Sequence, residues 1–174
     1  MKGVILASLA DLVTTKFGKD KWADILKKSE INEKARFLPV GDYPDKDVLK
    51  IVRSLCEVLH VSPAQAGEAF GDYWVNTYAP KMYSQYYARF KSAREFLLGM
   101  DEIHKNINVA DKQASPPRFA YSWKDDKTLL MKYKSSRNLI DIFVGLVKGV
   151  GKHFHETLRV THVGNNVVQI VFPK

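Results

Sequence analysis

His104 is the residue whose placement asks for chemistry. It lies on the apolar face of the stretch Ser92 to Asn108, where Phe96, Met100, Ile103 and Ile107 recur at helical spacing. An imidazole on such a face needs a partner, because a buried polar group without one costs free energy. Two partners answer that need. A backbone carbonyl would make His104 an ordinary core histidine. A haem iron would make it an axial ligand, with the neighbouring apolar side chains packed on the porphyrin. This helix alone leaves both readings open.

A second constellation follows downstream, at Tyr133-Lys134-Ser135-Ser136-Arg137. In an extended segment side chains alternate, so Tyr133, Ser135 and Arg137 share one face. A phenol, a hydroxyl and a guanidinium pointing together form a donor array for carboxylates, Arg137 in bidentate fashion. Haem carries two such groups, its propionates. The plainer reading is a strand end followed by a helix cap, since Ser135 and Ser136 are good caps.

The chain resembles the H-NOX family, the haem-nitric oxide/oxygen-binding sensors. The resemblance is carried in order by Met1-Lys2-Gly3-Val4-Ile5, Met100-Asp101-Glu102-Ile103-His104, Pro116-Pro117-Arg118, Tyr133-x-Ser135-x-Arg137 and Phe143-Val144-Gly145-Leu146. It covers essentially the whole chain, as a single H-NOX domain of the bacterial stand-alone type. It implies a haem b ligated by His104, with Tyr133, Ser135 and Arg137 on the propionates. Pro117, Met100 and Leu146 would lie against the porphyrin, Pro117 pressing on it and distorting it. Ile5, Leu9, Trp74, Tyr78 and Ile142 would form the distal pocket. No zinc is expected, because the multi-cysteine site of some members has no counterpart here.

The elements that must position these residues are legible from caps and periodicity. Ser92 with Glu95 is a capping-box start for the His104 helix. Before it, helices are predicted over Lys2 to Phe17 (stopped by Gly18), Lys21 to Lys28, and Asp45 to His60 with Leu49, Val52, Leu55 and Leu59 inward. Ser29 to Tyr43 reads as a connector. Ser62-Pro63-Ala64-Gln65 opens a further helix that carries Phe70, Trp74 and Tyr78 and is ended by Pro80. Tyr83, Tyr86, Tyr87 and Phe90 read as an aromatic connector. Strands are predicted over Arg118 to Trp123 and Thr128 to Lys134, then a helix with Leu139, Ile142, Phe143, Leu146, Val147, Val150 and Phe154 inward. Gly145, Gly149 and Gly151 weaken that helix intrinsically and point to close packing. A hairpin of Thr157 to Val163 and Val167 to Phe172 closes the chain. The expected fold is α+β: a helical N-terminal lobe, residues 1–60, packed on a C-terminal lobe of antiparallel strands and helices, residues 61–174, with the haem between them.

Bulk properties narrow the function. The 174 residues carry a net charge of +8, with lysines scattered and no basic arm, so nucleic acid is not the expected partner. The single Cys56 excludes an internal disulfide and reads as a buried thiol. His153, His155 and His162 lack metal spacing and read as surface residues, as does His60. No membrane span or signal peptide is expected, which predicts a cytoplasmic protein. No nucleophile–base set appears, and a peroxidase would need a polar distal pair that is missing around Ile5, Leu9, Ile142 and Leu146, so no enzyme is expected.

The expectation is therefore a sensor of nitric oxide, also binding carbon monoxide. Its partner would be a separate protein such as a histidine kinase or a cyclic-di-GMP enzyme, since no output domain precedes Lys174. Dioxygen-binding members of the family use a distal tyrosine where Ile142 stands, and Leu9 replaces the usual tryptophan. A dioxygen sensor with Tyr78 or Trp74 as distal donor is the alternative, and a basic nucleic-acid module without haem the remoter one.

Overall fold

Gly18 ends the first helix where the sequence places the stop, with φ of 89°, a backbone conformation that a side chain would strain. The computed structural model describes residues 1–173. Helix α1 spans Gly3–Phe17 and α2 Lys19–Lys28, which buries Trp22, Ile25 and Leu26. Helix α3, Asp45–Leu59, differs from expectation in its inward face: Val48, Ile51, Ser54 and Leu55 are buried, whereas Leu49 is exposed. The expected set Leu49, Val52, Leu55 and Leu59 is rotated about one residue from the true stripe. Both sets have helical spacing, so periodicity alone does not choose between them. His60 follows α3 in the left-handed region with φ of 52° and is exposed. Cys56 is half-buried rather than fully buried.

The chain folds as two compact units, Met1–Ala66 and the remainder from Gly67 onward. In the first, the amino terminus is anchored to its own connector. The Met1 ammonium donates to the Tyr43 carbonyl at 2.5 Å and pairs with Asp45 at 2.9 Å.

Helix α4, Pro63–Tyr73, begins with the predicted cap: Gln65 N–H donates to Ser62 Oγ, and Ser62 N–H donates back to Gln65 Oε1. Pro80 does not end the helical run. A π-helical turn, Trp74–Tyr78, leads directly into α5, Ala79–Tyr87. Pro80 thus falls in the first turn of α5, where a missing N–H removes no bond the helix needs. The supposed aromatic connector is helical through Tyr87, with a kink at Tyr83.

Helix α6 is Ala93–Ala110, and Glu95 N–H donates to Ser92 Oγ as the capping box requires. The reciprocal carboxylate reaches the amide of Lys91, one residue before the cap. Strands β1 (Arg118–Asp125) and β2 (Thr128–Lys134) form a hairpin, with the Lys127 amide donating to the Asp125 carboxylate at the turn. Helix α7, Ile140–His153, precedes β3 (Arg159–His162) and β4 (Val167–Val171). The four strands are antiparallel in the order β1-β2-β4-β3, so the fold is α+β. Leu129 and Met131 of β2 with Val168 and Ile170 of β4 are completely buried, in one core with Phe96 and Leu97 of α6 and Phe143, Val147 and Val150 of α7.

The glycines of α7 meet the close neighbour the sequence implies. A Cβ on Gly145 would collide with the Gly67 carbonyl oxygen, and one on Gly149 would come within 2.6 Å of the Gly71 oxygen. These are backbone atoms and cannot swing away. Gly145→Ala gains about 1 kcal/mol of helix propensity and loses about 3 kcal/mol to overpacking. The expected net loss is about 2 kcal/mol, lowering Tm by roughly 4–8 °C. A thermal melt checks this, and a higher Tm in the variant would refute the tight α4–α7 contact.

Candidate functional site

The His104 ring is fixed by its own strand–helix junction. His104 Nδ1 lies 2.7 Å from the Pro117 carbonyl. A carbonyl only accepts, so Nδ1 carries the proton, and the tautomer leaves Nε2 with its lone pair available. That is the arrangement of a metal-ligating histidine, one nitrogen donating to the backbone and the other presented to a metal. Burial pushes the imidazole pKa below its ordinary value, against the opposing pull of the Pro117 carbonyl and Asp101. The neutral ring, which is the ligating form, is thereby favoured. Phe119 packs on the imidazole at 5.4 Å between ring centres, and Met100 and Leu146 pack against the same core. The donor set therefore fits a haem iron on the Nε2 side.

Asp101, three residues before His104, ties α6 to β1. Its carboxylate accepts from Arg118 Nε at 2.8 Å and Nη2 at 2.6 Å, and from the Phe119 amide at 2.7 Å. Tyr121 adds its hydroxyl to the same turn, donating to the Leu97 carbonyl at 3.0 Å and accepting from the Asp101 amide at 3.1 Å. Sequence reasoning assigned no role to Asp101, Arg118 or Tyr121. The available signal was that Asp101 and Arg118 flank His104 and Pro117 within the two short motifs. The Arg118 guanidinium holds the Asp101 carboxyl down at about 2. The depressed folded-state pKa means this contact stabilises the fold above the ordinary value of 3.8 and is lost as pH falls toward about 2. Asp101→Asn is expected to remove that part of the acid-unfolding slope. Urea melts across this window check it, and an unchanged slope would show that Asp101 is not the titrating group.

Tyr133, Ser135 and Arg137 are not one extended array. Strand β2 stops at Lys134 and the chain turns at Ser136 and Arg137, so alternation does not carry Arg137 onto the face of Tyr133. The serines do not cap either, because α7 starts only after Leu139. Tyr133 is buried, stacked on Phe143 at 5.4 Å and near Phe119 at 6.3 Å. Ser135 Oγ accepts from the Arg137 amide at 3.3 Å, and Arg137 Nη1 donates to the Ser115 carbonyl at 2.5 Å. The motif therefore braces the Ser115-Pro116-Pro117 segment whose last carbonyl orients His104.

Among the other predicted residues, Trp74 stacks between Phe70 at 6.1 Å and Tyr78 at 5.8 Å. Ile142 is half-buried on α7, while Ile5 and Leu9 lie on α1, Leu9 buried within its unit. His155 and His162 are exposed, and His153 is half-buried, its ring 4.9 Å from both Tyr87 and Phe154.

Residues 2–162 match the family described as Haem-NO-binding. The chain belongs to that family. Among curated relatives, soluble guanylate cyclase gcy-35 of Caenorhabditis elegans is 28% identical over 161 residues, which covers 90% of this chain and 23% of that protein. Soluble guanylate cyclase gcy-34 of the same organism is 30% identical over 157 residues, covering 87% and 23%. The chain thus spans about a quarter of the length of the curated relatives it matches. An oxygen-binding H-NOX domain related to soluble guanylate cyclases is 25% identical at a TM-score of 0.82, covering 100% of this chain and 96% of its own. A Cs H-NOX mutant carrying 4-cyano-L-phenylalanine is 25% identical at 0.87, covering 100% and 97%. The unliganded Fe(II) H-NOX protein from K. algicida, 24% identical at 0.87, shares the fold. The chain is accordingly a haem-binding gas-sensor domain related to soluble guanylate cyclases, and the H-NOX domain is a sensor rather than a catalyst. Among the described residues, no helix is long and apolar enough to cross a membrane.

Proposed function

We propose that this H-NOX domain is a cytoplasmic sensor of nitric oxide, also binding carbon monoxide, with a haem b ligated by His104. The observation that carries the reading is the 2.7 Å contact between His104 Nδ1 and the Pro117 carbonyl, which presents Nε2 for ligation. Ferrous haem, when bound, would supply the gas-binding position. Pro117, Met100 and Leu146 would lie against the porphyrin, and Tyr133, Ser135 and Arg137 would serve the propionates. Trp74, Tyr78 and Ile142 are the distal residues of this reading. Gas binding at a haem so held would act on the second half of α6, which carries His104, and set two states of the domain. A separate protein, such as a histidine kinase or a cyclic-di-GMP enzyme, reads this difference only by binding the two states with different affinity.

Reconstitution tests the reading. Haem titrated into the protein is expected to give a Soret band that saturates at one equivalent. Nitric oxide added to the reduced form is expected to shift it to the five-coordinate nitrosyl position. A spectrum indistinguishable from free haem would overturn the proposal.

A further inference from the structure

We propose that Tyr121 is a positioning residue for His104, which sets the Leu97–Asp101 turn of α6 as the fulcrum about which the histidine-bearing half of the helix moves. The inference rests on the sensor reading above and deepens it. The Leu97 carbonyl and the Asp101 amide are the two groups that an uninterrupted α-helix pairs with each other. The Tyr121 hydroxyl engages both, donating to the first at 3.0 Å and accepting from the second at 3.1 Å. A side chain inserted into the i→i−4 ladder is an established cause of local bending in helices.

Everything else at this turn fixes the same point. The Asp101 carboxylate takes the Phe119 amide and both Arg118 donors, so the turn is tied to β1 by side chains from both sides. Before the turn, Ala93, Phe96 and Leu97 are buried in the core. After it, Ile103 alone is buried while Lys105, Asn106, Asn108, Val109 and Ala110 are exposed, and the Ile103 side chain, the His104–Phe119 ring contact and the His104–Pro117 and Asn108–Ala114 hydrogen bonds hold the segment. One half of α6 is thus fastened to the sheet and the other held by few contacts, with Tyr121 at the boundary. The phenol is pushed up to about 12, chiefly by burial. It therefore remains a donor across the working pH range, and the fulcrum is mechanical rather than titratable.

The test compares wild type with Tyr121→Phe, which keeps the ring and removes only the hydroxyl, by amide hydrogen exchange on haem-free and haem-loaded protein. In wild type the exchange rates are expected to step up at Asp101, and nitric oxide is expected to accelerate residues 102–110 without touching 94–101. In the variant the step is expected to shrink by about three- to tenfold, the worth of one hydrogen bond, and the acceleration to spread back toward Ala93. The iron–histidine stretching band of the ferrous variant should also move while its Tm falls by no more than about 5 °C, a response that a purely structural hydroxyl would not give. An unchanged step at Asp101 together with an unchanged band would overturn the fulcrum. If neither protein binds haem, the sensor reading fails instead, and the haem-free exchange step still decides the role of Tyr121. Asp101→Asn serves as a second variant, keeping the Tyr121 hydroxyl and loosening only the β1 tie. It should preserve the position of the step.

Discussion

His104→Gly is expected to lower haem affinity by more than about a hundredfold, and added imidazole is expected to restore the five-coordinate ferrous spectrum. Loss of the hydrogen-bond partner of a ligating histidine alone typically costs about ten- to a hundredfold in metal affinity, so loss of the ligand itself lies beyond that range. Rescue follows from the geometry. The Pro117 carbonyl that now receives Nδ1–H at 2.7 Å stays in place when the side chain is removed. A free imidazole can donate to it and offer its other nitrogen, as His104 does. The Phe119 ring, 5.4 Å from the imidazole, remains to stack on the replacement. The measurement is a haem titration with and without imidazole. Wild-type affinity in the glycine variant without imidazole would mean that another residue ligates the iron.

How far the site was legible depends on whether its residues act through local spacing or through distant partners. The α6 cap, the inward placement of His104 and the sheet hairpins follow from short-range rules, and they read correctly. The glycines of α7 announced a close approach, but not that Gly67 and Gly71 would be what they approach, because that pairing is long-range. The π-turn at Trp74–Tyr78 left no trace. Phe70, Trp74 and Tyr78 keep four-residue spacing in either helix type, and only the hydrogen-bond ladder distinguishes them. That ambiguity is why Pro80 read as a terminator. The propionate motif misled in geometry because the chain leaves β2 at Lys134, three residues before Arg137, to which the alternation argument needed the strand to run. Tyr121 lay hidden for another reason: on a strand it looks like one more aromatic of the core, and its hydroxyl matters only because it lands on one rung of α6.

The second large effect concerns which gas is accepted. Bound dioxygen draws electron density and becomes superoxide-like, so its complex gains from a distal hydrogen-bond donor. Nitric oxide and carbon monoxide gain far less. A hydrogen bond to a charged partner is worth roughly 1.5–3 kcal/mol, or about ten- to a hundredfold in affinity, which is enough to decide discrimination. Ile142, half-buried on α7, carries no donor. Reduced, haem-loaded protein is therefore expected to keep its five-coordinate spectrum when air is admitted, while nitric oxide changes it at once. The competing donor is the Tyr78 hydroxyl, whose ring is held against Trp74 at 5.8 Å. The two residues give opposite outcomes. A stable spectral change in air that disappears in Tyr78→Phe would assign dioxygen binding to Tyr78 and overturn the argument from Ile142. No change in air for either protein would leave Ile142 as the residue that excludes dioxygen, and Ile142→Tyr should then gain binding in air by about ten- to a hundredfold.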